Sequence, residues 1–163
     1  MNDEIKYVTG VASVFFPEIV KKFKEIVMNE GNVKESSFDG LILKNPTLMF
    51  IPDADEMSAV GALKIPNDSY KKGVFEKSNS LENPEDFDFE LGWIVSRMEG
   101  KGYGKKIVEV LIKTPVNIYA TVKENNGAMK HILEKYEFQK SGQPFKSEKG
   151  DYLIELYILK NKN

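Results

Sequence analysis

The stretch Phe89-Glu90-Leu91-Gly92-Trp93-Ile94-Val95-Ser96, followed by Arg97-Met98-Glu99 and then Gly100-Lys101-Gly102-Tyr103-Gly104-Lys105-Lys106, decides how this chain is read. Phe89, Leu91, Trp93 and Val95 alternate with Glu90, Gly92, Ile94 and Ser96, the period of a strand. Tyr103, Ile107, Val108, Leu111 and Ile112 then recur at helical intervals until Thr114-Pro115 ends the pattern. Between strand and helix stand glycines at alternate positions. They leave backbone N–H groups uncovered at a helix start, where the partial positive charge suits a phosphate. Lys101, Lys105 and Lys106 bring mobile positive charge to the same place. The glycines alone also describe a tight turn that binds nothing, and that reading stays open at this point. A Walker loop is disfavoured because Gly104-Lys105 is followed by Lys106 rather than Ser or Thr. A dinucleotide fingerprint is disfavoured because its third glycine position is Lys105.

Downstream, Val116, Ile118, Ala120 and Val122 alternate with Asn117, Tyr119 and Thr121, predicting a strand that pairs parallel to the one before the loop. Asn125-Asn126-Gly127 opens a second helix whose inner face reads Ala128, Met129, Ile132, Leu133 and Tyr136. Phe138–Ser147, broken by Gly142 and Pro144, and the alternating Tyr152–Leu159 predict a closing antiparallel pair. Upstream, Pro17 suits a first helical position, and Phe16, Ile19, Val20, Phe23 and Val27 follow at helical spacing until Gly31. Leu48–Ile51 and Ser58–Leu63, separated by the polar turn Pro52–Glu56, predict a hairpin. A third strand is expected to begin near Val74, with a surface loop from Asn79 to Asp86 between strands. The order is mixed α/β (α+β), with helices entering singly between strands.

The chain has 163 residues, 41% of them hydrophobic, which predicts one globular domain, 1–163, with a real core. A formal net charge of -2 gives no global attraction to nucleic acid or an anionic membrane. The acidic start Met1-Asn2-Asp3-Glu4 does not resemble a secretory signal and no apolar run approaches a bilayer span, so a cytoplasmic protein is expected. Cysteine is absent, which removes disulfides, thiolate metal sites and a cysteinyl acyl intermediate. His131, the single histidine, has no partner cluster with metal spacing and reads as a surface residue, so no metal is expected.

Glu90-Leu91-Gly92-Trp93-Ile94-Val95 with Glu99-Gly100-Lys101-Gly102-Tyr103-Gly104-Lys105 resembles the segment of the GNAT superfamily in which a strand enters an Arg/Gln-Gly-x-Gly-x-Gly pyrophosphate loop. Asn126-Gly127-Ala128-Met129 with Ile132-Leu133-Glu134-Lys135-Tyr136-Glu137-Phe138 resembles the following Asn-x-Ala helix that ends in Gly-Phe. The resemblance extends more weakly to Val60–Lys64 and Gly150–Leu156, and so over nearly the whole chain after the first helix. It implies a central mixed, mostly antiparallel sheet with a splayed parallel strand pair and flanking helices. It also implies acetyl-coenzyme A as co-substrate, with Trp93, Ile94, Val95, Gly100, Lys101, Gly102, Tyr103, Gly104, Lys105 and Asn126 as cofactor-binding residues. Three positions depart from the pattern. Glu99 stands where the family has arginine or glutamine, and a carboxylate there repels a diphosphate unless it turns outward or Arg97 and the lysines compensate. Leu133 stands where a tyrosine is common, and Glu137 replaces the glycine of Gly-Phe.

The implied activity is transfer of acetyl from acetyl-coenzyme A to a primary amine of a small molecule or peptide, by direct attack in a ternary complex. A non-catalytic acyl-coenzyme A-binding module is the alternative. An amine with a pKa near 10.4 is neutral in about one molecule in a few thousand at pH 7, so something must take its proton. Glu90 is the candidate general base, and Tyr136 the candidate acid for the departing sulfur, with Tyr119 or solvent as substitutes. Backbone N–H groups around Ile94 and Val95 are the implied oxyanion donors. Neither nucleic acid nor membrane is an expected partner, and a homodimer stays open. Acceptor choice is expected from Pro17–Glu30, the loop from Asn79, and the hairpin near Gly142 to Gly150.

Overall fold

The computed structural model describes residues 4–31 and 33–161. In chain order the elements are β1 (Val8–Val11), α1 (Pro17–Glu30), α2 (Glu35–Ile42), β2 (Thr47–Asp53), β3 (Glu56–Lys64), α3 (Asp68–Lys77), β4 (Phe89–Ser96), α4 (Tyr103–Leu111), β5 (Ile118–Lys123), α5 (Gly127–Lys135), β6 (Gln139–Lys146) and β7 (Leu153–Leu159). Short 3-10 turns lie at Ala12–Val14 and Pro84–Asp86. The strands follow the order β1-β2-β3-β4-β5-β7-β6. Pairs β1–β2, β2–β3, β5–β7 and β6–β7 are antiparallel. β4 and β5 run parallel, with Phe89 opposite Ile118 and Glu90 opposite Tyr119. The mixed sheet with one parallel pair is therefore as the sequence implied. The chain forms two compact units, Met1–Ile65 with Leu91–Leu111 and Pro66–Glu90 with Ile112–Asn163, and β4 passes from one to the other between Glu90 and Leu91.

In the first unit, α1 starts at Pro17, whose missing N–H is no loss in a first turn, and buries Phe23, Ile26 and Val27. It stops where the Gly31 N–H bonds Val27 O at 2.8 Å. α2 and β1 were not foreseen. α2 contributes one buried residue, Phe38, which packs on Phe23 with ring centroids 6.3 Å apart. α4 turns Ile107, Val108 and Leu111 inward against β3. There Gly61 is bare for a reason: a Cβ would collide with the Ile107 side chain.

In the second unit the strand expected near Val74 is instead the helix α3, and the loop from Asn79 therefore follows a helix rather than a strand. The buried positions Lys71, Val74, Phe75 and Ser78 are spaced three, one and three residues apart, a helical stripe that two polar residues disguise. Val74 and Phe75 join Phe87, Tyr119, Leu156 and Ile158 in one cluster. α5 is also less apolar than its sequence suggests. Leu133 is its buried residue, Ala128 is exposed, and Met129 and Ile132 are half-buried.

Electrostatics hold α5 where apolar area does not. Lys130 on α5 and Lys140 on β6 reach Glu155 of β7 at 3.1 and 3.2 Å, and Glu155 is 2% exposed. Burial alone would raise its pKa, but the hydrogen bonds from Lys130 and Lys140 prevail and hold the carboxyl below its ordinary value. Because the folded value is depressed, this stabilisation is complete above the unfolded carboxylate pKa of about 4.3 and is lost as pH falls through the lower folded value. Unfolding by urea at pH 7 and pH 3 should show a smaller acid loss in Glu155→Gln than in the wild type. Equal losses would mean that Glu155 carries none of it.

Candidate functional site

The loop that the sequence marks for phosphate is built in the first unit. β4 delivers the chain at Ser96, and α4 begins at Tyr103. Gly100 and Gly102 take φ values of +74° and +73°, left-handed conformations that a side chain disfavours. A Cβ added at either glycine would meet nothing within 4 Å, so the space beside the loop is open. Lys106 N–H bonds Gly102 O at 3.0 Å, fixing Gly102 as the residue from which α4 grows. The N–H groups of the first turn, from Tyr103 onward, have no carbonyl one turn back within the helix. An open, left-handed glycine pair leading into a helix start fits a diphosphate.

The charges around it sort differently from the expectation. The Arg97 side chain meets other groups: its Nη1 lies 3.8 Å from Glu56 and 3.5 Å from Met57 O, and its Nε lies 3.9 Å from Glu30. Two acidic side chains and a carbonyl draw it toward α1 and the β2–β3 turn. Lys106 sits over the Tyr7 ring at 5.7 Å and within 3.8 Å of Glu109. Lys101 and Lys105 are exposed and remain the lysines suited to a diphosphate, while Glu99 is exposed as well.

Trp93 lies in the middle of β4 with φ at +53°, a conformation that bulky residues rarely adopt. Its side chain is 7% exposed, stacked on Phe38 at 4.5 Å and edge-on to Phe23 at 6.2 Å, with Lys64 Nζ 5.3 Å above the ring. This places the indole in the core and leaves only the main chain of Trp93 to serve a ligand. Ile94 is half-buried and Val95 buried. The left-handed residue puts a local kink in β4.

The second unit holds a polar group set around Glu90. Glu90 is 3% exposed. Tyr70, on the first turn of α3, stands near enough to Glu90 for the carboxylate's charge to act on its phenol. Glu90 first, then burial, pushes the Tyr70 phenol above its ordinary pKa. Tyr119, opposite Glu90 in the ladder, is fully buried, and its hydroxyl has no hydrogen-bond partner. Burial first, then Glu90 and Tyr70, pushes that phenol up too. Sequence reasoning missed Tyr70 because a tyrosine at the start of an unrecognised helix carries no spacing signal.

Asn126 caps α5: its side-chain oxygen accepts from Met129 N–H at 3.1 Å. Tyr136 closes α5, its N–H bonded to Ile132 O at 3.2 Å. It is the residue after the last helical one, half-buried, as C-cap. The turn beyond it is closed by Phe138 N–H to Leu133 O at 3.0 Å and Glu137 N–H to Glu134 O at 3.1 Å. Glu137 occupies the left-handed position at φ +70° that glycine usually fills. A polar cavity of about 300 Å³ lined by Asp86, Asp88, Phe89, Val116, Asn117 and Asn161 contains none of the predicted residues. Among the described residues no group of three or more His, Cys, Asp or Glu is placed to hold a metal. Among them, too, no helix is long and apolar enough to cross a membrane.

No family model matches the chain, and no curated protein matches it. Solved structures do. An acyl-CoA N-acyltransferase from Pseudomonas aeruginosa superposes with a TM-score of 0.68 at 11% identity, covering 95% of this chain and 99% of that one. A GNAT family acetyltransferase from Bacillus cereus gives 0.64 at 11% identity, with 97% and 99% covered. The fold is the GNAT fold. The structure of yncA from Salmonella typhimurium with its cofactor acetyl-CoA matches at 0.61 and 11% identity, over 96% of this chain and 95% of that one. Within the GNAT fold, two of the three departures noted in the sequence have local outcomes. Glu137 keeps the backbone turn of the missing glycine, and Leu133, 1% exposed, fills core rather than offering a proton.

Proposed function

We propose that the chain is an N-acetyltransferase that moves the acetyl group of acetyl-coenzyme A to a primary amine of a small molecule or peptide, by direct attack in a ternary complex. The observation that carries this reading is the open left-handed pair Gly100 and Gly102 at the start of α4, supported by the GNAT fold. Acetyl-coenzyme A supplies an acetyl group already activated as a thioester. Gly100, Lys101, Gly102, Tyr103, Gly104 and Lys105 hold its diphosphate. The main chain from Trp93 to Val95 receives the arm and steadies the carbonyl oxygen as negative charge develops on it. The Asn126 amide, whose oxygen is committed to the helix cap, has N–H groups to offer the arm. Glu90 takes the proton that the amine must lose, and the departing sulfur is protonated by Tyr136, Tyr119 or solvent.

The alternative, a module that binds acyl-coenzyme A without turnover, draws on Leu133 and on the diversion of Arg97 to Glu30 and Glu56. Release of coenzyme A across a panel of amines and peptides separates the two. Transfer to any acceptor establishes the enzyme, whereas tight binding with unchanged acetyl content after long incubation establishes the module.

Gly102→Val tests the loop. A β-branched residue at φ +73° is strained by about 1–3 kcal/mol and projects into the phosphate path. The rise in Tm that acetyl-coenzyme A gives the wild type should vanish in this variant, while the apo protein stays folded. Undiminished protection would show that the loop is only a turn.

A further inference from the structure

Three local rules are broken side by side on β4 and the neighbouring β3. Gly92 stands inside a strand, where glycine is ordinarily the weaker choice. Trp93, next to it, takes a left-handed backbone. Lys64, the last residue of β3, is half-buried and lays its ammonium 5.3 Å from the centre of the Trp93 ring, where an apolar side chain would pack without drawing a charge out of water. Rules broken together mark a functional or strained site. One contact joins the three. A Cβ added at Gly92 would stand 2.7 Å from Lys64 Cε and 3.0 Å from its Nζ, so the end of the lysine occupies the space that a side chain would need. Gly92 has no left-handed backbone to account for the glycine; what the missing side chain admits is the ammonium.

We propose, on the reading that the chain acetylates amines, that Lys64 supplies a fixed positive charge to the transfer step and that Gly92 is bare to let it in. Attack of the amine nitrogen on the thioester carbon forms the C–N bond and leaves a negative charge on the carbonyl oxygen until the C–S bond breaks. On the same reading, the main-chain N–H groups of Ile94 and Val95 meet that oxygen. A positive charge held over the start of the same segment stabilises the oxyanion more than the neutral thioester, which is the condition for raising kcat. The Trp93 ring keeps the cation in place before the reaction begins, so nothing has to reorganise as charge develops.

The test measures kcat, Tm and the acetyl-coenzyme A Kd for wild type, Lys64→Met, Lys64→Arg, Gly92→Ala and the Lys64→Met/Gly92→Ala double variant, on whichever amine of a mixed panel the wild type acetylates. Lys64→Met keeps the stem and loses the charge. It should lower kcat about 10- to 100-fold, with Tm and Kd unchanged. Lys64→Arg keeps the charge and stacks on the ring, and should retain most of kcat. Gly92→Ala keeps both side chains, but its methyl displaces the flexible end of the lysine, so it should lose as much as Lys64→Met. The double variant should lose no more than Lys64→Met, because the methyl then has no ammonium to displace. Losses that multiply, or wild-type kcat in Lys64→Met, overturn the role of the charge and leave the transferase standing. A wild type that binds acetyl-coenzyme A but acetylates no amine overturns both. Trp93 is the sole tryptophan, so its fluorescence reads the ammonium without any substrate. Lys64→Met and Gly92→Ala should move the emission maximum alike, and unchanged emission in both overturns the placement of the charge.

Discussion

Glu90→Gln should slow acetyl transfer by about 100- to 10,000-fold while leaving acetyl-coenzyme A binding in place. The side chain is buried and keeps its shape in the variant, so its packing survives. What disappears is the capacity to receive a proton. Because the deficit arises from deprotonation, it should appear in kcat at saturating amine rather than in the Kd of acetyl-coenzyme A, read by calorimetry. It should also shrink as the acceptor changes. An amine whose pKa lies about three units below 10.4 is about a thousandfold richer in neutral form at pH 7, and needs a base correspondingly less. A deficit that stays constant across amines of widely different pKa would remove Glu90 from the role of base and leave it a packing residue.

The parts legible in the sequence were those where one physical rule acts alone. Pro17 and Gly31 bracket α1 because backbone chemistry at helix ends is local. The alternate glycines before Tyr103 predicted the loop because a left-handed backbone beside open space favours glycine, and the structure puts Gly100 and Gly102 in that conformation. Where two rules competed, the reading failed. α3 buries Lys71 and Ser78 in its inner stripe, so hydrophobicity alone showed only Val74-Phe75, which looks like a strand start. Glu90 stands in the alternating run Phe89–Ser96, whose period does not say which face is covered; the structure buries it near Tyr70, twenty residues away in sequence on that unrecognised helix. Tyr136, three residues beyond Leu133, stands at the end of α5. The chain turns left-handed at Glu137, which composition does not announce when the residue is glutamate instead of glycine. The surroundings of Glu90 were therefore hidden by the same element that the strand pattern concealed.

Trp93→Ala should be the most destabilising single change in the first unit, by about 3–5 kcal/mol. It removes a ring that touches Phe23, Phe38 and the Lys64 ammonium and opens a cavity among buried aromatics. The backbone at Trp93 opposes part of that stabilisation. At φ +53° a non-glycine residue stores about 1–3 kcal/mol of strain, which the packing of the indole overrides. Glycine in a strand is ordinarily about 0.5–1 kcal/mol worse than alanine, but here Trp93→Gly releases the strain and should be at least as stable as Trp93→Ala. Urea unfolding of the two variants decides it. If alanine proves the better residue, the left-handed backbone is relaxed and the kink is no strained feature. The same pair bears on function, since only the main chain of Trp93 is free of the core. Trp93→Gly, which suits the kink, should retain the Tm increase given by acetyl-coenzyme A from its lower starting point. Loss of that increase in a folded Trp93→Gly protein would mean that the indole, by bracing β4 against α1 and α2, is what holds the Ile94 and Val95 N–H groups in position.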